Sequence, residues 1–154
     1  MTFTFNYTHP LIGDYRISAT DKGITRISFG HYEKTTQEII ETPLIKQLNK
    51  ELISYFNGKN SHFTTPFILS GTPFQHKVWE TICKIPYGET LSYKTLALLC
   101  GSPKGARAVA SACHCNPLLF IIPCHRVIGS NGSLTGYAGG LPIKEKLLKM
   151  EKGE

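Results

Sequence analysis

From Thr72 to Pro117 the chain carries helix-starting and helix-stopping signals so close together that only short helices joined by tight turns can satisfy them. Thr72-Pro73-Phe74-Gln75 reads as a capping box, with the Gln side chain returning to the cap. Phe74, Val78, Trp79 and Ile82 form the apolar stripe that follows, and Ile85-Pro86-Tyr87-Gly88 ends it. Ser92 caps a short helix carrying Leu96, Leu99 and Cys100, closed by Gly101. Ser102-Pro103 opens another helix at once, expected to run to about Cys115, where Asn116-Pro117 stops it. Two short helices joined at a glycine are a plausible helix-turn-helix.

The first half has a different period. Phe3, Phe5 and Tyr7 alternate with polar residues, and Tyr15–Ala19 and Ile24–Phe29 flank the turn Asp21-Lys22-Gly23. Thr42-Pro43 then caps a helix with the stripe Leu44, Ile45, Leu48, Leu52 and Phe56, which Asn57-Gly58 ends. A connector and one further strand are expected over 58–71. The predicted fold is an α/β N-terminal domain (residues 1–70, a small sheet plus a helix) packed on a mainly α C-terminal domain (residues 71–154) with a winged-helix-like helix-turn-helix. His9, His31 and His62 are isolated, and no catalytic grouping stands out before residue 72.

Charge separates the halves again. The net +6 is distributed as +1 over residues 1–72 and +5 over 73–154, and no carboxylate occurs between Glu89 and Glu145. That interval holds Lys94, Lys104, Arg107, Arg126 and Lys144, with His114 and His125. Clearing acids from a long basic stretch removes repulsion from phosphate as well as adding attraction, which suits a polyanionic partner. The helix after Ser102 adds to this, because Gly105, Ala106, Ala108, Ala110, Ser111 and Ala112 are small and Arg107 alone projects among them. Such a helix can approach a DNA groove and push one long cation into the base stack. An Ala-rich helix packed closely on its neighbours is the alternative for the same residues.

The five cysteines, at 83, 100, 113, 115 and 124, all lie in the second half, a pattern of free thiols rather than of a disulfide scaffold. No apolar run approaches the roughly 18 residues of a bilayer span, and the start lacks the pattern of a secretory signal. The cytoplasm is the expected compartment. The chemically distinctive segment is Ile121-Ile122-Pro123-Cys124-His125-Arg126-Val127-Ile128, a thiol flanked by Pro, His and Arg in an apolar, strand-like run. A thiol attacks only as thiolate, so it needs nearby positive charge or a base. His125 is the candidate base, but neighbours in a strand face opposite ways, so it is expected to act through a water or an irregular turn. The role of inert buried cysteine fits Cys83 and Cys100, each beside a helical stripe, better than Cys124. Downstream, Gly136-Tyr137-Ala138-Gly139-Gly140 offers main-chain groups at close range, and Lys144, Leu147, Leu148 and Glu151 share one face of a terminal helix. A carboxylate on that apolar face, near a helix C-terminus, is either functional or a solvated end.

Taken in order, Gly71–Gln75, Ile85–Thr90, Ser92-Tyr93, Arg107–Val109, Asn116-Pro117, Pro123-Cys124-His125-Arg126-Val127 and Gly136–Gly140 to Leu148 resemble the O6-alkylguanine-DNA alkyltransferases. The resemblance covers essentially residues 71–151; the first seventy match in length and α/β character only. It implies direct damage reversal, in which the alkyl group of O6-alkylguanine in duplex DNA passes irreversibly to Cys124, once per molecule and with no cofactor. The catalytic set it implies is Cys124, His125, Glu151, Tyr93 and Asn116. His125, a water and Glu151 would deprotonate Cys124, Tyr93 would protonate the departing guanine, and Asn116 would join the recognition helix to the active-site segment. DNA would be bound through its minor groove by Arg107, Tyr93, Ala106, Ala108, Ala110, Lys104 and Arg126, with Arg107 replacing the flipped base. The base pocket would be formed by Val127, Tyr137, Ala138 and Cys113, together with main-chain groups of Cys124. Some relatives hold zinc in the N-terminal domain, but no cysteine precedes Cys83 here, so no metal is expected. Some carry Ser where Ala138 stands, leaving only the backbone N–H at that point. A monomer acting on double-stranded DNA away from membranes is expected, and activity on O4-alkylthymine stays open.

Three rival readings remain. A binding-only relative flags alkylated DNA without reacting, but such proteins replace the cysteine that is present here as Cys124. A metal site built from Cys113, His114, Cys115, Cys124 and His125 matches zinc spacings poorly. A cysteine hydrolase lacks a separate His and orienting Asn.

Overall fold

The computed structural model describes all residues except 31–34, 36, 60–61, 135–136 and 138–139. The chain divides into two compact units, Met1–Leu69 and Ser70–Glu154.

In the first unit, β1 (Phe3–His9) lies between β2 (Gly13–Ala19) and the two-residue β4 (Glu38–Ile39), and β3 (Ile24–Phe29) borders β2. The β1–β2 and β2–β3 pairs are antiparallel, whereas β1–β4 is parallel. Helix α1 (Pro43–Phe56) starts where Thr42 accepts from Ile45 N, and it packs on β1 and β2. Its buried face is Ile45, Leu48, Leu52, Tyr55 and Phe56, so the stripe read from sequence extends to Tyr55 but leaves Leu44 half-exposed. Among its described residues, the connector after α1 contributes a single bridge, Ile24 to Phe67, rather than a strand. Gly23 is required there, because a Cβ would stand 3.1 Å from the backbone of Pro66 and Phe67.

The second unit is helical. Helix α2 (Pro73–Ile82) has both hydrogen bonds of the capping box and buries Val78, Trp79 and Ile82. Helix α3 (Tyr93–Leu99) is capped by Ser92, and α4 (Ala106–His114) packs against it and against α2. The indole N–H of Trp79 donates to Ala112 O at 2.9 Å, fixing the last turn of α4. Two-residue strands β5 (Leu91–Ser92) and β6 (Val127–Ile128) pair in parallel, and α5 (Leu141–Glu151) completes the unit. Two expectations are corrected here. Helix α4 begins at Ala106 rather than at Pro103, because Gly105 N turns back to Ser102 O at 2.8 Å and only then does the helix propagate. On α3 Leu96 and Cys100 are buried, but Leu99 is 59% exposed and Ala97 takes its place on the inward face. Among the described residues, no helix is long and apolar enough to cross a membrane.

Candidate active site

Cys124 opens a 3-10 turn, Cys124–Arg126, rather than continuing a strand. The sequence 121–128 reads as strand because it is apolar, but side-chain hydrogen bonds from outside the segment shape it otherwise. Asn116, buried after the last turn of α4, accepts from Leu118 N at 2.9 Å. Its Nδ2 donates to Ile122 O at 2.9 Å and to Cys124 Sγ at 3.1 Å. Between these anchors Phe120 takes a left-handed backbone conformation, φ 73°, which a bulky side chain adopts only where its surroundings impose it. One amide thus sets both the chain path and a donor aimed at the sulfur. A donor to sulfur favours the thiolate over the thiol.

The turn places the imidazole of His125 fully inside the unit. Its Nε2 is 2.6 Å from Glu151 Oε2 at the end of α5. Glu151 is buried as well, and its second oxygen accepts from Arg126 Nε at 2.8 Å and from Gly88 N at 3.2 Å. Arg126 also donates from Nη1 to Ile85 O at 2.8 Å, and only 12% of its side chain is exposed. Arg126, expected at a DNA surface, is therefore turned inward, where its charge balances the buried carboxylate. Glu151 is not a solvated end; the apolar face of α5 carries it inward with Leu147 and Leu148.

Lys144 shares that face and is also buried, which the sequence reading missed when it counted this charge toward a basic surface. Its Nζ donates to Val127 O at 2.5 Å and lies 5.6 Å from the centre of the Tyr93 ring. Tyr93 is half-buried at the start of α3, and the β5–β6 pairing brings it beside the strand that follows Cys124. The buried ring of Tyr137 meets His125 edge-on at 6.3 Å. Val127 and Cys113 are buried with them. Ala138 lies outside the described residues, as do Gly136 and Gly139.

The electrostatics follow from this burial. Burial pushes the Cys124 thiol well above its ordinary value, the nearby Cys113 thiol adds to that, and the Asn116 donor opposes it. Burial pulls His125 below its ordinary value, against Glu151, whose hydrogen bond and charge favour the protonated ring. The resting pair is thus a neutral thiol and a neutral imidazole, with the proton still to be moved. Burial likewise holds the Tyr93 hydroxyl protonated and lowers Lys144, whose charge a thiolate on Cys124 would favour.

Cys83 proves exposed, against the inert buried role expected for it, whereas Cys100 is buried as expected; Cys124 is buried too. Cys115 and His114 sit on exposed positions. Among the described residues no group of three or more His, Cys, Asp or Glu side chains is gathered to hold a metal ion. The outer face of α4 presents Ala106, Arg107, Ala108 and Ser111, with Ala110 half-exposed, while Val109, Ala112 and Cys113 are buried. Lys94 and Lys104 are exposed on and beside the same helix pair.

These features have counterparts in known proteins. Residues 5–69 match the 6-O-methylguanine DNA methyltransferase, ribonuclease-like domain, and residues 73–153 match the DNA-binding domain of the same name. A methylated-DNA–protein-cysteine methyltransferase of Methanosarcina barkeri is 43% identical over 92% of each chain. The inducible enzyme of that name from Bacillus subtilis is 40% identical over 90% of this chain and 84% of its own. The crystal structure of Mycobacterium tuberculosis OGT in complex with DNA is similar with a TM-score of 0.89 at 36% identity, over 98% of this chain and 93% of that one. With both units matched and the cysteine, its amide donor and the His–Glu pair in one buried cluster, the chain belongs to the O6-alkylguanine-DNA alkyltransferase family.

Proposed function

We propose that the chain repairs alkylated DNA directly, taking the alkyl group from O6 of guanine in a duplex onto Cys124. The observation that carries this reading is the buried line Asn116–Cys124 and His125–Glu151: a thiol with a donor on its sulfur, followed in the chain by an imidazole whose far nitrogen is held by a carboxylate. With Nε2 committed to Glu151, His125 receives the thiol proton on its Nδ1 side, directly or through a water. Cys124 Sγ then attacks the alkyl carbon, the carbon–O6 bond breaks, and its electron pair leaves with guanine. Tyr93, held protonated by its surroundings, supplies the proton that neutralises the leaving base. The product thioether has no leaving group comparable to guanine, so each molecule acts once.

The O6 edge of guanine faces the major groove inside a stacked duplex, whereas the small-residue face of α4 suits a narrow groove. A protein approaching from the minor groove must extrude the nucleotide, which costs a few kcal/mol and less where alkylation has weakened pairing. Arg107, exposed among alanines, fills the place left in the stack. Lys94 and Lys104 meet phosphate. Val127, Tyr137 and Cys113 line the pocket for the extruded base.

Duplex DNA labelled in the methyl group of O6-methylguanine tests the reading. Label should pass to protein and plateau at one equivalent per chain. Binding without transfer would make the chain a recognition protein only, and turnover past one equivalent would contradict an irreversible acceptor.

A further inference from the structure

The buried carboxylate behind His125 is claimed twice. Its Oε2 meets His125 Nε2 at 2.6 Å, and the same oxygen accepts from Arg126 Nη2 at 3.2 Å. Its Oε1 accepts from Arg126 Nε at 2.8 Å and from Gly88 N at 3.2 Å. Arg126 thus forks both oxygens of Glu151 in a bidentate pair. The guanidinium is fixed in that pose. Nη1 donates to Ile85 O at 2.8 Å, the central carbon stands 5.7 Å from the centre of the Tyr87 ring, and only 12% of the side chain meets solvent. A cation anywhere beside Glu151 would balance its charge. A fork that reaches the oxygen shared with the imidazole also acts on the proton between them.

We propose that Arg126 is a positioning residue for the transferred proton: by committing Glu151 to its ionised form it makes that proton stop on His125, and its charge sets the lowest pH at which the ring can still accept it. This rests on the reading of Cys124 as the alkyl acceptor. As the Cys124 S–H bond breaks, an N–H bond forms at Nδ1 of His125, and the Nε2–H bond toward Glu151 stays whole. Glu151 has four donors on its two oxygens, one pair of them from a guanidinium that does not lose its proton, and so is held against taking the Nε2 proton. The imidazolium keeps both protons beside the thiolate. The two partners of the ring therefore act in opposite directions: Glu151 favours the protonated ring, and Arg126 disfavours it. Lys144 on α5 also disfavours its protonation, and a thiolate on Cys124 would favour it. Tyr137 meets the ring edge-on, and Tyr87 and Cys83 face the ion pair from the end of α2 and the loop after it; burial keeps all three protonated. Among these groups Arg126 alone both touches the shared oxygen and cannot lose its charge.

The test is the pH profile of methyl transfer from O6-methylguanine duplex, taken where each protein is folded, beside an NMR titration of labelled histidine and glutamate side chains in the full chain. Arg126→Met removes fork and charge together. Its acid limb should rise by about one pH unit, which makes transfer below the limb about tenfold slower relative to its own plateau. Arg126→Lys keeps the charge and should hold the limb near its wild-type position, whereas Glu151→Gln moves it to lower pH. A merely structural brace would lower the Tm of both Arg126 variants and leave both limbs in place. That result overturns the proposal, as does a fall of the limb in Arg126→Met. The wild-type chain gives a reading that needs no variant: as pH falls, His125 should take its second proton while Glu151 stays ionised. A Glu151 carboxyl that protonates first, or a ring without its Nε2 proton at neutral pH, overturns the proposal. The NMR titration uses no DNA, so a chain that shows the expected order and transfers no methyl would fault the alkyl-transfer reading alone. Transfer with a limb that neither Arg126 variant moves would fault this proposal alone.

Discussion

Glu151 holds three partners, and its replacement separates two effects. Its charge favours a protonated His125, so Glu151→Gln leaves a weaker base and a less stable thiolate–imidazolium pair. Alkyl transfer should slow on the order of 100-fold, with the acid limb set by His125 moved to lower pH. The same change leaves the largely buried guanidinium of Arg126 facing a neutral amide, which costs about 3 kcal/mol of stability in a pair of this kind. Transfer rates across pH, taken well below the variant's own unfolding temperature, distinguish the two: a purely structural role would lower the Tm and leave the pH profile in place. Glu145→Gln is the control, because its contact with Lys149 is exposed on both sides and worth little. In the wild type the sign is fixed by burial. His125 is held below its ordinary value, so it stays neutral, and able to accept a proton, down to pH values beneath about 6.5. The acid limb of the rate profile should lie below that value. At Asn116, substitution by Ala removes bonds to Leu118 N, Ile122 O and Cys124 Sγ together. It should cost on the order of 3 kcal/mol in chemical denaturation and disturb the Phe120 turn. Asn116→Asp exchanges the donor on sulfur for an acceptor and should slow transfer further than its stability loss explains.

At the scale of elements, what could be read locally was read. The Thr42 cap, the Thr72–Gln75 box, the Ser92 cap and the Asn57-Gly58 stop depend on residues within a turn of each other, and all are present. What escaped depends on contacts distant in sequence. The 3-10 turn at Cys124 is imposed by the Asn116 side chain, and β4, β5 and β6 are two-residue pairings too short to carry a period. The inward turn of Arg126 follows from Glu151 twenty-five residues on, and the burial of Lys144 from Val127 and Tyr93, which no spacing rule connects. A cation at the start of the inward face of α5 was the available sign. The outer face of α4 gives the test proper to an element. Arg107→Ala should slow repair in duplex DNA far more than reaction with a free O6-alkylguanine base, because only the duplex requires extrusion. Equal losses on both substrates would show that Arg107 does not serve that step.

For the molecule as a whole, the excess charge of the second unit splits into two populations. Arg126 and Lys144 are spent internally, on a carboxylate and a carbonyl. Lys94, Lys104 and Arg107 are exposed, the two lysines for the proposed phosphate contacts and Arg107 for the proposed place in the stack. Duplex affinity should therefore fall with salt at a slope of about −0.9 per phosphate contact, and Lys104→Ala should lessen the slope by about one contact. Arg126→Ala should leave the slope almost unchanged while destabilising the unit. The most direct test of the account is the location of the transferred group. After incubation with duplex DNA containing O6-methylguanine, peptide mass mapping should find one methyl group, on Cys124. A methyl on Cys83, Cys100, Cys113 or Cys115, or an unmodified protein bound to intact lesion, would contradict it.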